Sequence, residues 1–123
     1  MKAVCKNVGG AQCAAFTHDQ VLTGWGDGNV RCHDAARGGE LLWTLPNANV
    51  GGVTCVAAAH GLHFFVTGGA NGEVRIWDMR TRSMISNLKE HTSRVVALKV
   101  LDDDQHVVGP HHVIGCTHTL THR

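Results

Sequence analysis

Short runs of alternating apolar residues, separated by glycine-rich turns, recur along the chain. In the clearest case, Phe64–Val66 leads into a turn at 68–72, and the alternating run Val74–Trp77 follows and stops at Asp78. The Asn-Gly pair inside this turn accepts positive φ at little steric cost, and a period of two places successive side chains on opposite faces of a strand. This stretch therefore predicts a β-hairpin.

The same hairpin occurs once earlier in the chain, with Thr23 and Thr67 at corresponding positions 44 residues apart. The alternating segment before each hairpin also repeats, as Ala11–Phe16 and Val53–Ala58, and Val95–Val100 begins a third copy. A period of about 40–45 residues composed of short strands is typical of propellers, in which each repeat is one four-stranded blade. We therefore predict an all-β fold with about two and a half blades of a β-propeller.

The repeat also predicts the organisation of the chain. Residues 1–108 form a partial propeller, with blade one at about 4–45, blade two at about 50–88 and the start of blade three at about 92–108. A closed propeller needs about four to eight blades, so this ring is expected to be incomplete. Open blade edges favour self-association. We interpret the sequence as a piece of a longer propeller protein, a truncated isoform or a faulty gene model.

The repeat pattern fails after residue 108. After Gly109-Pro110 there is no Gly-Asp-Gly turn and no Trp-Asp. Residues 117–122 nearly alternate Thr with His, as a CA dinucleotide tract would encode. We predict an irregular His-rich tail that is foreign to the fold. It contains the candidate metal ligands of the chain, which are His111, His112, Cys116 and His118. Their spacing matches no established zinc site, so the favoured prediction is no metal and no other cofactor, with metal binding by the tail as the alternative.

The segment ending in Trp77-Asp78, preceded by Phe-Val-Thr-Gly, resembles the WD repeat. His91 is similar to the family's His before the next innermost strand, and the resemblance runs from about Val4 to Val108. It implies a β-propeller fold, and a fold alone does not specify a function.

The resemblance also implies structural roles for particular residues. WD blades commonly contain a buried hydrogen-bonded set of a turn Asp, a His, a strand Ser or Thr and a Trp. Blade one has His33 where Trp is expected, and Asn49 stands at the His position of blade two. The residues that match the motif in this chain are Thr23, Asp27, Thr67, Asn71, Trp77, Asp78 and His91.

The sequence lacks the patterns of common enzymes. It has no Gly-Xaa-Ser-Xaa-Gly elbow, no Walker loop and no paired carboxylates on a shared face. The glycine-rich stretch 67–72 joins two strands and so lacks the helix N-terminus that phosphate binding uses. We therefore predict no catalytic residues and no enzymatic activity.

Charge and hydropathy exclude further classes. The net charge is +1 and the charges are interspersed, which predicts no nucleic-acid partner. No apolar run approaches the roughly 18 residues of a membrane span, so no membrane association and a cytoplasmic location are expected. Arg75, Arg80 and Arg82 are interpreted as a solvated rim at a strand end. Three cysteines on inward-facing strand positions predict small hydrophobes in a reducing compartment, namely Cys13, Cys32 and Cys55.

The remaining prediction is a non-enzymatic protein-interaction scaffold. Aromatic residues anchor interfaces, and Trp25, Trp43 and His63 are the predicted exposed contacts. Residues 23–31 and 88–95 are similar to the WD-repeat proteins of ciliary and flagellar axonemes. That resemblance implies a structural role in the cilium, with tubulin or neighbouring axonemal proteins as partners. A general cytoplasmic complex-assembly scaffold is the alternative.

Overall fold

The computed structural model describes residues 11–59, 61, 63–88, 95, 98–100, 106–108 and 113–115. These residues form three antiparallel sheets. The first contains β1 (Ala11–Phe16), β2 (Gln20–Trp25), β3 (Val30–Asp34) and β4 (Glu40–Leu45). The second contains β5 (Val53–Ala58), β6 (Phe64–Gly69), β7 (Val74–Asp78) and β8 (Met84–Leu88). The third contains β9 (Lys99–Val100), β10 (His106–Val108) and β11 (Val113–Gly115).

Each four-stranded sheet has its strands in sequence order, as in a propeller blade. The prediction of an all-β fold with two four-stranded blades is therefore confirmed. We keep the names blade one for β1–β4 and blade two for β5–β8. The described residues contain no helix with the length and apolar character that crossing a bilayer requires.

The second strand of each blade is longer than predicted. Strand β6 continues through Gly69, although the turn was predicted at 68–72, and the corresponding strand β2 continues through Trp25. The extension arises because the first strand of each blade pairs across the added residues, after a bulge at the same place in both blades. Gly24 in blade one, and Gly68 and Gly69 in blade two, are therefore paired strand residues.

A 3₁₀ helix, Ala35–Arg37, joins β3 to β4. The side chain of Asp34 caps it by accepting a hydrogen bond from the backbone N–H of Ala36 at 2.9 Å. Gly38 ends it with a φ of 73°, a conformation that favours glycine.

The C-terminal part of the prediction needs two corrections. Of the predicted strand 95–100, Lys99–Val100 is the strand among the described residues, although Val95 is buried. The tail 109–123 is not irregular throughout, because Val113–Gly115 forms β11 and pairs with β10. Its run of Val-Ile favours a strand, and the histidine composition of the tail obscured this short apolar signal.

Two apolar clusters hold the sheets together. The cluster between blades one and two contains Leu22 and Val30 from blade one, and Phe65 and Trp77 from blade two. The opposite face of blade two packs Phe64, Val66 and Ile76 against Val95 and Val100. Blade two is therefore covered on both faces, with successive residues of β6 pointing to opposite sides.

Glycine in the second strand allows the blades to approach closely. A Cβ at Gly24 would lie 2.5 Å from Cγ1 of Val53 and 2.6 Å from the sulfur of Cys13. At the corresponding Gly68 it would lie 2.7 Å from the sulfur of Cys55. Neither position has room for a side chain, which explains why Thr-Gly recurs in both blades.

The cysteines lie inward, as predicted. Cys32 and Cys55 are buried and Cys13 is half-buried, and all three are free thiols. Burial raises the pKa of Cys13 to about 12 and the pKa values of Cys32 and Cys55 to about 11. These thiols are therefore protonated at neutral pH and act as small apolar side chains.

Candidate protein-contact surface

The strand Thr and the Trp of the WD motif meet in blade two. The indole N–H of Trp77 on β7 donates to Oγ1 of Thr67 on β6 at 3.0 Å, and both side chains are buried. Phe65 stacks beside the indole, with ring centroids 6.4 Å apart. The bond leaves the buried indole N–H satisfied, so it stabilises the blade and offers no group to a ligand.

In blade one the corresponding hydroxyl, that of Thr23, accepts from a different tryptophan. The indole N–H of Trp25 donates to Oγ1 of Thr23 at 2.8 Å, and Trp25 is fully buried. The prediction of Trp25 as an exposed protein contact is therefore wrong. Strand β2 extends through residue 25, and the guanidinium of Arg31 covers the ring at 4.6 Å from its centroid. Two residues after Thr23 along a strand is the same face, which is the signal that would have located this partner.

The turn residues of the motif stabilise their own hairpins. Oδ1 of Asp27 accepts from the backbone N–H of Asn29 at 3.0 Å, and Oδ2 accepts from Arg31 at 3.2 Å. Oδ1 of Asn71 accepts from the backbone N–H of Glu73 at 3.3 Å. Both are local side-chain bonds typical of turns.

The residue at the His position of blade two is also structural. Asn49 is buried, and its amide nitrogen donates to the backbone carbonyl of Glu73 at 3.3 Å. Asn49 thereby joins the connection between the blades to the hairpin turn of blade two. His91, the corresponding residue for blade three, lies outside the described residues.

Asp78 ends β7 and organises the turn to β8. Its Oδ1 accepts from the backbone N–H groups of Arg80 at 2.8 Å and Thr81 at 3.0 Å. The bond from Thr81 is the main cause that lowers the pKa of Asp78, because hydrogen bonds to a carboxylate favour its charged form. Asp78 is therefore a turn residue rather than a proton donor.

The other two predicted contact residues are half-buried. Trp43 on β4 lies 5.8 Å from the ring of Phe65, and the guanidinium of Arg82 lies 5.0 Å from the Trp43 centroid. His63 meets the ring of Phe64 edge-on at 4.9 Å. Much of the aromatic surface of Trp43 is therefore used between the blades.

Arg75 is not part of a solvated rim. Its side chain is 14% exposed, and Nη1 donates to the backbone carbonyl of Ala48 at 2.8 Å. Nη2 donates to Oε1 of Glu73 at 2.9 Å. Arg75 therefore hydrogen-bonds the connection between the blades to the hairpin turn of blade two, a contact we call the Arg75 clasp. Arg80, by contrast, is exposed at the strand end. The interpretation of Arg75 as solvated is wrong. It assumed an exposed side chain because arginine is charged, whereas the structure buries the guanidinium against Ala48 and Glu73.

Three loops lie together at one end of the blades. They are residues 26–29, 46–52 and 70–73, which we call the loop face. The backbone N–H of Ala48 donates to the carbonyl of Gly28 at 2.7 Å, and that of Ala70 donates to Gly52 at 3.2 Å. Val50 stands out of this surface with 65% of its area exposed. The sequence analysis did not single out Val50, because it lies between turn residues.

The described residues contain no group of three or more side chains arranged to bind a metal ion. The candidate ligands His111, His112, Cys116 and His118 lie outside the described residues. The alternative of metal binding by the tail stays a prediction.

Comparison with known proteins agrees with this geometry. The family model of the WD domain, G-beta repeat, matches residues 39–78. Cilia- and flagella-associated protein 52 of Mus musculus is 32% identical over 90 residues, which is 72% of this chain and 14% of the mouse protein. The Homo sapiens protein of the same name has the same identity and coverage. The chain thus spans about one seventh of the length of these relatives.

A solved structure shares the fold. A WD-repeat propeller chain in the crystal structure of the mitotic checkpoint complex superimposes with a TM-score of 0.74 at 19% identity, over 80% of this chain and 32% of that chain. At this identity the likeness establishes the fold alone. Together with the repeat and the family match, these findings show that the chain belongs to the WD-repeat family.

Proposed function

We propose that the chain is part of a non-enzymatic interaction scaffold in the cilium or flagellum. The similarity to cilia- and flagella-associated protein 52 over 90 residues carries the proposal, since these relatives are named for that location. The similar region covers about one seventh of the length of these relatives, so we propose their ciliary location for this chain and do not assign it the role of the whole protein.

The distribution of polar groups supports a scaffold role. The Thr–Trp bonds of both blades and the Arg75 clasp use buried donors and acceptors for internal contacts. The exposed large apolar side chains of the described residues are Val50 on the loop face, Phe16 on β1, Leu41 and Leu42 on β4, and Met84 on β8. We expect the loop face to bind tubulin or a neighbouring axonemal protein, with Val50 as the apolar anchor.

Fractionation of ciliated cells tests this role. A tagged chain is expected to stay with the axoneme after detergent extraction, and Val50→Asp is expected to release most of it. Met84→Asp is the matched control, because Met84 is also exposed, at 49%, but lies on the outer strand β8. If the wild-type chain is recovered entirely in the soluble cytoplasmic fraction, the general assembly scaffold replaces the ciliary one.

A further inference from the structure

The hairpin turn of blade two contains the one Asn-Gly pair of the sequence, Asn71-Gly72. In such a pair the backbone nitrogen of the glycine can attack the side-chain amide of the asparagine, because glycine has no side chain that hinders the approach. The attack forms a cyclic succinimide and releases ammonia, and water then opens the ring to aspartate or isoaspartate. The local geometry of the turn determines whether the folded protein can react in this way.

The side chain of Asn71 is held beside the peptide that follows it. Its Oδ1 accepts a hydrogen bond from the backbone N–H of Glu73 at 3.3 Å. This bond spans the peptide of Gly72, so it restrains the side-chain amide close to the nitrogen that attacks it. It also supplies a donor to the oxygen that becomes negatively charged in the tetrahedral intermediate. One contact therefore orients the electrophile and stabilises the developing charge.

A second contact opposes the reaction without preventing it. The backbone N–H of Gly72 donates to the carbonyl of Gly69 at 3.2 Å, and this bond must break before the nitrogen attacks. The distance lies at the long end of the range for such bonds. The net strength of one neutral hydrogen bond limits the slowing to about tenfold relative to a free peptide. Asn71 is half-buried, so water reaches the turn to open the succinimide.

We propose that Asn71 is a site of spontaneous deamidation in the folded protein, with Gly72 as the nucleophile and the Glu73 N–H as the donor to the oxyanion. The Gly72 nitrogen loses its proton to water and forms a bond to Cγ of Asn71. The bond from Cγ to Nδ2 breaks, and the nitrogen leaves as ammonia with a proton taken from water. Water then cleaves the ring at Cγ to give aspartate, or at the backbone carbonyl of residue 71 to give isoaspartate.

The product adds a negative charge to the loop face. In blade one the residue corresponding to Asn71 is Asp27, whose carboxylate pairs with Arg31 at 3.2 Å. In blade two the corresponding Arg75 already pairs with Glu73 at 2.9 Å. Deamidation therefore places a second carboxylate beside a turn that has one arginine. Isoaspartate also lengthens the backbone of the turn by one methylene group.

Ageing of the purified chain at neutral pH, followed by peptide mapping with mass spectrometry, tests the proposal. A synthetic peptide of residues 66–76 gives the intrinsic rate. We expect Asn71 of the folded protein to deamidate within about tenfold of the peptide rate, and faster as the pH is raised, because the attacking amide must lose its proton. Asn29 is the matched control, since it is half-buried on the same loop face but is followed by Val30, whose branched side chain hinders attack. It should react at least tenfold more slowly than Asn71.

Two variants complete the test. Asn71→Gln keeps a side-chain amide at a longer reach and should abolish the mass change in this peptide. Asn71→Asp provides the chromatographic standard for the aspartate product, and tryptophan fluorescence checks that the aged chain stays folded. A rate more than tenfold below that of the peptide would overturn the inference, because the folded turn would then block the attack. Comparable conversion of Asn29 and Asn71 would also overturn it, because the loss of ammonia would then not depend on Gly72.

Discussion

Trp25 donates its indole N–H to Thr23 two residues earlier on the same strand, whereas Trp77 reaches Thr67 from the neighbouring strand. The threonine hydroxyl that recurs in the two blades thus accepts from an indole in each, from β2 itself in blade one and from β7 in blade two. His33, at the place of Trp77 in blade one, is also buried.

We predict that Thr23→Val and Thr67→Val each destabilise the protein by about 1–3 kcal/mol, because valine keeps the shape but leaves a buried indole N–H without an acceptor. Urea unfolding followed by tryptophan fluorescence measures the change. Thr44→Val, at an exposed position of β4, is the matched control. A loss no larger than that of Thr44→Val would show that the indole bonds contribute little.

Arg75→Lys is expected to lower the free energy of unfolding by about 1.5–3 kcal/mol, the range for hydrogen bonds to charged groups. Lysine keeps the charge but cannot donate to the Ala48 carbonyl and the Glu73 carboxylate with the geometry of a guanidinium. Arg80→Lys changes an exposed arginine just beyond the end of β7 and should have little effect. Equal stability of the two variants contradicts the clasp.

Gly24→Ala should cost about 1–3 kcal/mol, because the added methyl group overpacks the contact with Val53. Combining it with Val53→Ala removes the clash with Cγ1 of Val53, while the clash with the sulfur of Cys13 remains. The double variant should therefore lose less stability than the two single variants together, by more than about 0.5 kcal/mol. Strict additivity in denaturant unfolding would mean that the two residues do not meet.

The stability of the protein should depend on His33 between neutral and mildly acidic pH. Burial, followed by the positive charge of Arg31, lowers the pKa of His33 below its ordinary 6.5. The unfolded chain then binds the proton more tightly, so the contribution of His33 is present above pH 6.5 and is lost as the pH falls through its folded pKa. His33→Phe is expected to reduce the loss of stability between pH 7.5 and 5.5, whereas His18→Phe, at an exposed position, should not. An identical pH dependence in all three proteins would exclude this role.

The fold was largely predictable because hairpin turns and alternation are local signals. The repeat located β1 and β5 at the residues where the structure has them, and β7 within one residue. The errors concern the burial of individual side chains, such as Trp25 and Arg75, and the short strand in the His-rich tail. Alignment to the motif placed the expected Trp of blade one at residue 33, whereas the extension of β2 through residue 25 encloses Trp25.

The candidate site was less predictable. The partner of Arg75 is Ala48 in the connection between the blades, and the partner of Trp43 is Phe65 in the adjoining blade. Their burial depends on how the blades pack, which a pattern along one strand does not report. Val50 is exposed in a loop that donates to the hairpin turn of blade one and accepts from the hairpin turn of blade two.

The most direct test of the account is the affinity of the purified chain for isolated axonemes, measured by co-sedimentation with microtubules of pure tubulin in parallel. We predict saturable binding that Val50→Asp weakens at least tenfold and Met84→Asp leaves within twofold. Binding to the pure microtubules would identify tubulin as the partner, and binding to axonemes alone would identify a neighbouring axonemal protein. No saturable binding, or equal affinity of the two variants, would contradict a scaffold that acts through the loop face.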